Sequence, residues 1–221
     1  MAASPSRSIL GTALILATCL TLYCLLFAAT AQAQRVNSFG RPPSENRDFY
    51  IGSSMFMLAN LVPMENPPKF YQLNAGIIFT PVDRLSVEAI SWRYYHPLGI
   101  PYGGPKEAPE EAYPGHIRER GVGLAYQRFL SGGFYTSLAV IPFRREFYDT
   151  QGKKIVEGSY KYMILRFGYK ISFFNRLFME PSIAFNRWWS QTNTPAEFEA
   201  KDRKWPNYFL FEPGLHVGIE F

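Results

Sequence analysis

The last thirteen residues of the chain alternate between two kinds of side chain. The odd positions from Phe209 to Phe221 are all apolar, and the even positions after Leu210 are glycine, histidine or glutamate. Because successive side chains of a strand point to opposite faces, this pattern predicts a strand with one apolar and one polar face. Such a strand suits a position between lipid and a polar interior.

Further segments of similar period occupy the chain after residue 48, and none is interrupted by a long amphipathic helix pattern. Eight strands are predicted, over residues 49–59, 70–80, 85–95, 120–130, 134–147, 155–173, 177–189 and 207–221. Two irregularities are expected. The third strand changes phase near Ala89, and bulges fall at Pro142, Pro181 and Pro213, since proline removes a hydrogen bond of the ladder.

The connections between these segments alternate in length. Short ones follow the second, fourth and sixth strands, at residues 81–84, 131–133 and 174–176. Mostly longer ones follow the odd-numbered strands, at residues 60–69, 96–119, 149–154 and 190–206. Outer-membrane barrels have short periplasmic turns and longer external loops, so the order predicts an all-β, eight-stranded antiparallel up-and-down transmembrane β-barrel.

Composition excludes several classes of function. The chain has 14 tyrosines and 19 phenylalanines, as in a β-protein with much aromatic surface. Its net charge of +5 comes without a lysine and arginine cluster, so we predict no nucleic-acid partner. Both cysteines, Cys19 and Cys24, precede the predicted barrel, which excludes disulfides and thiolate metal sites there. We expect no metal and no cofactor.

The first 33 residues resemble a cleavable signal peptide. Arg7 precedes an apolar run from Ile9 to Ala29, and Ala31 to Ala33 form a small-x-small cleavage signal. A retained membrane helix is the alternative, because the run is long. The predicted organisation is therefore a signal peptide at 1–33, a periplasmic lead at 34–48 and an outer-membrane β-barrel at 49–221.

With this signal sequence, strand count, loop order and terminal Phe221, the chain resembles the small eight-stranded outer-membrane β-barrel proteins of the OmpA and OmpX type. The resemblance covers residues 49–221 and implies location in the cell outer membrane of a Gram-negative bacterium. It also implies that Phe221 belongs to the signal recognised by the barrel-assembly machinery. No active-site motif of that family accompanies the resemblance.

An eight-stranded barrel has room inside for side chains or one small ligand. We predict a polar network in the lumen, in which opposite charges pair because isolated buried charge is costly. Its members are Glu88, Arg166, Lys170, Glu180, Glu212, His216 and Glu220, with Arg144 and Glu146 as weaker candidates. The role expected of this filled barrel is structural or interactive, with no catalytic residues.

Two alternatives remain open. Glu180 and His216 lie on neighbouring predicted strands, and with Ser182 they could form a hydrolytic group of a lipid-modifying enzyme. A narrow channel would instead need a continuous water path through the lumen.

Aromatic residues near the predicted external strand ends are expected to form a membrane-interface girdle. They are Trp92, Tyr94, Trp188, Trp189 and Trp205. The lipid bilayer, with lipopolysaccharide, and the assembly machinery are the expected partners, and the charged external loops are candidate sites for a protein or glycan.

Overall fold

A computed structural model describes residues 48–61, 63, 68–95, 115–174, 176–203 and 206–221. The predicted signal peptide, the lead up to residue 47, most of the loop at 96–119 and Trp205 lie outside the described residues. Most of the described part of the chain is β-strand. None of its helices is long and apolar enough to cross a membrane.

The strands follow the predicted segments closely, with most ends within two residues. They are β1 (Phe49–Ser54), β2 (Lys69–Ile78), β3 (Asp83–Tyr95), β4 (His116–Ser131), β5 (Phe134–Tyr148), β6 (Lys154–Tyr169), β7 (Ile171–Phe173), β8 (Leu177–Trp189) and β9 (Tyr208–Glu220). A 3-10 helix, Met55–Leu61, follows β1, and a short helix α1, Ala196–Asp202, precedes β9. The first strand is thus shorter than predicted, because its second half is helical.

Consecutive strands from β1 to β6 and from β7 to β9 pair antiparallel, and β1 also pairs with β9. The pairing of β6 with β8 closes the sheet, and β7 continues β6 beyond Lys170. The prediction of an all-β, eight-stranded antiparallel up-and-down barrel is therefore confirmed as a closed barrel. We call its end with the three short connections and the start of β1 the turn end, and the opposite end the loop end.

Most of the expected irregularities are absent from the strand register. The pairing of β3 with β2 and β4 is continuous, so the strand has no phase change at Ala89. Pro142 and Pro181 stand in regular register and not in bulges. Both face outward, and Pro181 lies opposite the interruption between β6 and β7, where no ladder hydrogen bond is needed. Pro213 also keeps regular register, next to a real bulge.

That bulge interrupts the alternation of the final strand. The register of β8 with β9 shifts between Ala184 and Asn186, and Phe211 has a φ of 60°, in the left-handed region. An extra residue in one strand reverses the phase beyond it. Phe209 consequently lies on the inner side, against Trp188, and does not extend the outer apolar face as the sequence pattern predicted.

Candidate functional site

Charged side chains fill the interior near the turn end. Arg84 bonds to Glu220 and lies 3.7 Å from Glu180 (Nη1 to Oε1), and Lys170 bonds to Glu220 as well. One layer further in, Arg166 Nη1 donates to Glu88 Oε1 at 3.0 Å. We call this set the ion-pair plug. Its charges are buried and compensated, which makes it a rigid filling of the barrel.

The structure places all seven predicted lumenal residues on the inner face. Five of them belong to the ion-pair plug. His216 lies next to it, opposite Glu180 in the register, and Glu212 bonds to Asn186 nearer the loop end. The weaker candidates Arg144 and Glu146 face outward instead, and Arg145 between them is the inner residue. Arg84 was missed because it was counted as part of a turn, although it shares the inward phase of Ser86 and Glu88.

The hydrolytic alternative depends on Glu180, His216 and Ser182. Glu180 and His216 are directly opposite in the register of β8 and β9. In the described part of the chain, however, Glu180 bonds to Gln127 at 3.2 Å, and His216 Nε2 lies 3.4 Å from Gln72 Nε2. No hydrogen bond joins the three residues of the candidate group within that part, so the geometry does not assemble a triad.

A second polar cluster lies toward the loop end and is centred on Glu119, which is only 2% exposed. Arg145 Nε donates to Glu119 at 2.6 Å, Tyr94 Oη at 2.9 Å and Tyr160 Oη at 2.8 Å. We call these four residues the Glu119 hub. Asp202 of α1 bonds to Arg145 at 3.3 Å, which ties the helix to the barrel.

Sequence reasoning did not find the Glu119 hub, because its members come from four strands and none stands out locally. Beyond it, Phe198 of α1 is fully buried against Phe147, with ring centroids 5.0 Å apart. The helix therefore covers part of the loop end. The inward phase of Ile117 and Glu119 in β4 was the available signal for this side of the interior.

Between the ion-pair plug and the Glu119 hub lies a cavity of about 430 Å³. That volume falls within the range of roughly 300–1,000 Å³ that is typical of small-molecule sites. Eight aromatic side chains contribute to the lining; they are Phe56, Phe70, Trp92, Tyr94, Tyr160, Tyr162, Trp188 and Phe209. The ion-pair plug itself leaves a space of only about 40 Å³. The interior thus divides into a charged part and a hollow aromatic part.

The predicted aromatic girdle is wrong for three of its members. Trp92 stacks on Phe143 inside the barrel, Tyr94 belongs to the Glu119 hub, and Trp188 packs against Tyr162. Their strand phase points inward, and an aromatic residue near a strand end does not by itself reveal its face. Trp189 is on the outer phase of β8.

The outer face carries exposed apolar side chains on every strand of the barrel wall. They are Phe49, Ile51, Tyr71, Leu73, Ile77, Leu85, Val87, Val122, Leu124, Phe134, Val140, Tyr169, Ile171, Leu177, Ile183, Phe211, Ile219 and Phe221. We call this set the apolar belt. A belt of this extent is far larger than the scattered apolar residues of a water-exposed protein.

A band of basic residues borders the apolar belt on its loop-end side. Lys69, Arg93 and Arg118 are register partners across β2, β3 and β4, and Arg120 is opposite Arg144. All share the outward phase of the apolar residues on their strands. Lys161 and Arg187 extend the band to β6 and β8. We call these seven residues the basic band.

No protein-family model matches the sequence, and no curated protein matches it significantly. The function must therefore be inferred from the barrel itself. In the described residues, no cluster of three or more histidine, cysteine, aspartate or glutamate side chains could hold a metal ion.

Proposed function

We propose that the protein is an outer-membrane β-barrel with a structural or surface-interaction role. The observation that carries the proposal is the apolar belt, which surrounds a closed barrel with the ion-pair plug inside it. In water this arrangement would expose a continuous apolar surface. In a bilayer the same surface would contact the hydrocarbon chains of the lipids. Closure of the sheet also satisfies most of the strand hydrogen bonds, which lipid cannot satisfy.

The basic band supports an orientation with the loop end outward. It lies at the edge of the apolar belt, where headgroups would lie, and arginine binds phosphate well through its planar fork. Lipopolysaccharide carries phosphate groups, so we propose it as the lipid partner of this band. External loops remain candidate sites for a protein or glycan.

The terminal residue fits a role in assembly by the barrel-assembly machinery. Phe221 exchanges backbone hydrogen bonds with Phe49, and their rings stack with centroids 6.2 Å apart. The side chain is about half exposed, so it contributes little to the barrel interior. An exposed aromatic side chain where β1 pairs with β9 is accessible for recognition.

The filled turn end favours a barrel that does not conduct. The ion-pair plug occupies the lumen between Arg84 and Arg166, and its salt bridges would have to break for ions to pass. Because broken buried pairs are costly, an open path there is unfavourable. The role we propose is accordingly structural or interactive and not catalytic.

The location is tested first by membrane fractionation of a Gram-negative host that expresses the full chain. We expect the protein in the outer-membrane fraction, and we expect its mobility on a gel to differ between boiled and unboiled samples. Such a shift reports a closed barrel that resists detergent. Recovery in the soluble or inner-membrane fraction, or identical mobility, would contradict the proposal.

A single substitution separates a membrane barrel from a water-soluble one. Leu124, 60% exposed in the middle of β4, is expected to tolerate arginine if it faces water. If it faces lipid, Leu124→Arg should lower the unfolding free energy by about 2–4 kcal/mol. The measurement is urea unfolding in lipid vesicles, followed by tryptophan fluorescence.

Ser91→Arg is the matched control, because Ser91 is opposite Arg120 in the basic band. Near the interface the cost of arginine falls to about 0–1 kcal/mol. Equal and small effects of the two substitutions would count against lipid around the apolar belt.

A further inference from the structure

The barrel wall is interrupted between β2 and β9. The strand that separates them, β1, makes its last pairings at Gly52 with Asn74 and at Ser54 with His216. Toward the loop end, residues 69–73 of β2 and 208–215 of β9 have no strand between them in the described part of the chain. The 3-10 helix Met55–Leu61 occupies this side instead and packs against both strands. We call this interruption the side opening.

Side chains replace the missing strand along the β2 edge of the side opening. Asn60 Nδ2 donates to the Phe70 carbonyl at 2.9 Å, and the Phe70 N–H donates to Asn60 Oδ1 at 2.7 Å. Ser53 Oγ donates to the Gln72 carbonyl at 2.6 Å. Backbone groups at an unpaired edge are costly in an apolar environment, and these bonds reduce that cost. The edge is therefore formed by specific residues.

The β9 edge is adapted in a different way. Phe49 and Phe221 exchange backbone hydrogen bonds, so every second residue before Phe221 directs its backbone groups to the β1 side. Pro213 is one of these residues, and it has no N–H to leave unbonded. The bulge at Phe211 lies at the same edge and turns Phe209 inward.

The cavity continues into the side opening. Pro213 and Leu215 have the outward phase of β9, yet both line the cavity, as do Met55 and Phe56 of the 3-10 helix. Residues on the outer phase can border an interior space only where that space reaches through the wall. Phe56 is 51% exposed, and its ring centroid lies 4.7 Å from that of Phe70. The passage is therefore lined by apolar side chains.

The chemistry of the cavity suits a hydrocarbon chain. Its lining includes eight aromatic side chains together with Met55, Ile90, Ile164 and Leu215. Among its charged members, Arg166 is paired with Glu88 and Arg145 with Glu119, and Glu212 bonds to Asn186. At roughly 30 Å³ for a group the size of a water molecule, the cavity of about 430 Å³ holds about 14 methylene-sized groups. This is enough for one acyl chain and too little for a whole two-chain lipid.

We infer that the cavity binds one acyl chain of a membrane lipid, which enters sideways through the side opening. The inference rests on the proposed membrane location, because only there does the opening face hydrocarbon. β1 runs inward from the turn end, so the opening lies in the loop-end half of the barrel, next to the basic band. The lipid is therefore expected from the leaflet that the loop end faces.

Tryptophan fluorescence gives a direct test, because Trp92 and Trp188 line the cavity. The chain has four tryptophans, and the double variant Trp189→Phe, Trp205→Phe keeps only these two. This variant is placed in vesicles of phosphatidylcholine with brominated acyl chains, which quench nearby indoles. We expect stronger quenching than lipid chains outside the barrel wall would produce alone.

A cavity-filling substitution separates the two contributions to quenching. Ala184 is buried and lines the cavity, so Ala184→Phe in the same background should displace the chain and reduce quenching. Ala75→Phe is the matched control, because Ala75 is exposed on the outer face of β2. If Ala184→Phe fails to fold, Ile164→Phe fills the same space from β6.

The possible outcomes are distinct. Quenching that falls with Ala184→Phe and persists with Ala75→Phe supports the bound chain. Equal quenching in all three proteins would show contact across the wall only and would overturn the inference, as would quenching by aqueous acrylamide without quenching by brominated lipid. Folding and insertion are checked by the gel shift and by flotation with the vesicles. Failure of these checks in the unblocked protein would overturn the proposed membrane location as well.

Discussion

Replacing Arg166 with methionine is expected to lower the unfolding free energy of the barrel by about 3–5 kcal/mol. The substitution removes the partner of Glu88, which is 3% exposed and accepts from Arg166 at 3.0 Å. A buried carboxylate without its counter-charge cannot recover the hydration that it lost on folding. Urea unfolding in vesicles, followed by tryptophan fluorescence, measures the loss.

The double variant Glu88→Leu, Arg166→Met should recover most of that loss, because apolar residues of similar volume often replace a buried ion pair without cost. A surface pair is the matched control. Arg144 bonds to Glu157 on the outer face, and Arg144→Met should leave the unfolding midpoint nearly unchanged. If Arg166→Met proved as mild as Arg144→Met, the interior would be hydrated and the ion-pair plug would not be a dry filling.

The strands and the order of the connections could be predicted from the sequence because both signals are local. Period-two alternation identifies a strand within a few residues, and glycine and proline mark the turns. The short turn at Gly132 and Gly133 is an example, since both adopt positive φ, at 56° and 95°. An even number of consecutive antiparallel strands also allows the first and last strands to pair antiparallel, as β1 and β9 do.

Which face a residue occupies was harder to predict where the pattern is weak. Trp92 and Tyr94 share the inward phase of Glu88, but their size and position near a strand end favoured an interface role. Register along the whole of β3 decides the matter, and register is a property of three paired strands. The face of the residues before Phe211 was also hard to predict. A bulge there shifts the phase of the strand, and no glycine at that position indicates the bulge in the sequence.

The cavity could not be predicted from sequence at all. It depends on β1 ending at Ser54 and on a 3-10 helix that takes the place of a longer strand. The apolar residues of Met55–Leu61 are equally compatible with a strand, as the prediction for residues 49–59 assumed. Asn60 is informative only once its two hydrogen bonds to Phe70 are known.

Replacing Glu119 with leucine is expected to be at least as harmful as replacing Arg166, with a loss of about 3–5 kcal/mol. Glu119 accepts hydrogen bonds from Arg145, Tyr94 and Tyr160, and all four side chains are buried. The substitution leaves Arg145 with Asp202 as a partner at 3.3 Å and deprives two hydroxyl groups of their acceptor. The same unfolding measurement reports the loss, and Glu146→Leu on the outer phase of β5 is the control.

Rescue should distinguish this cluster from the simple pair of Glu88 and Arg166. In the double variant Glu119→Leu, Arg145→Met the charge is removed, but Tyr94 and Tyr160 still lack their acceptor, and each unsatisfied hydroxyl costs about 1–3 kcal/mol. Recovery is therefore expected to be partial, whereas the pair in the ion-pair plug should recover almost fully. Full recovery at Glu119 would show that water reaches the two tyrosines, and the aromatic cavity would then be wet rather than suited to an acyl chain.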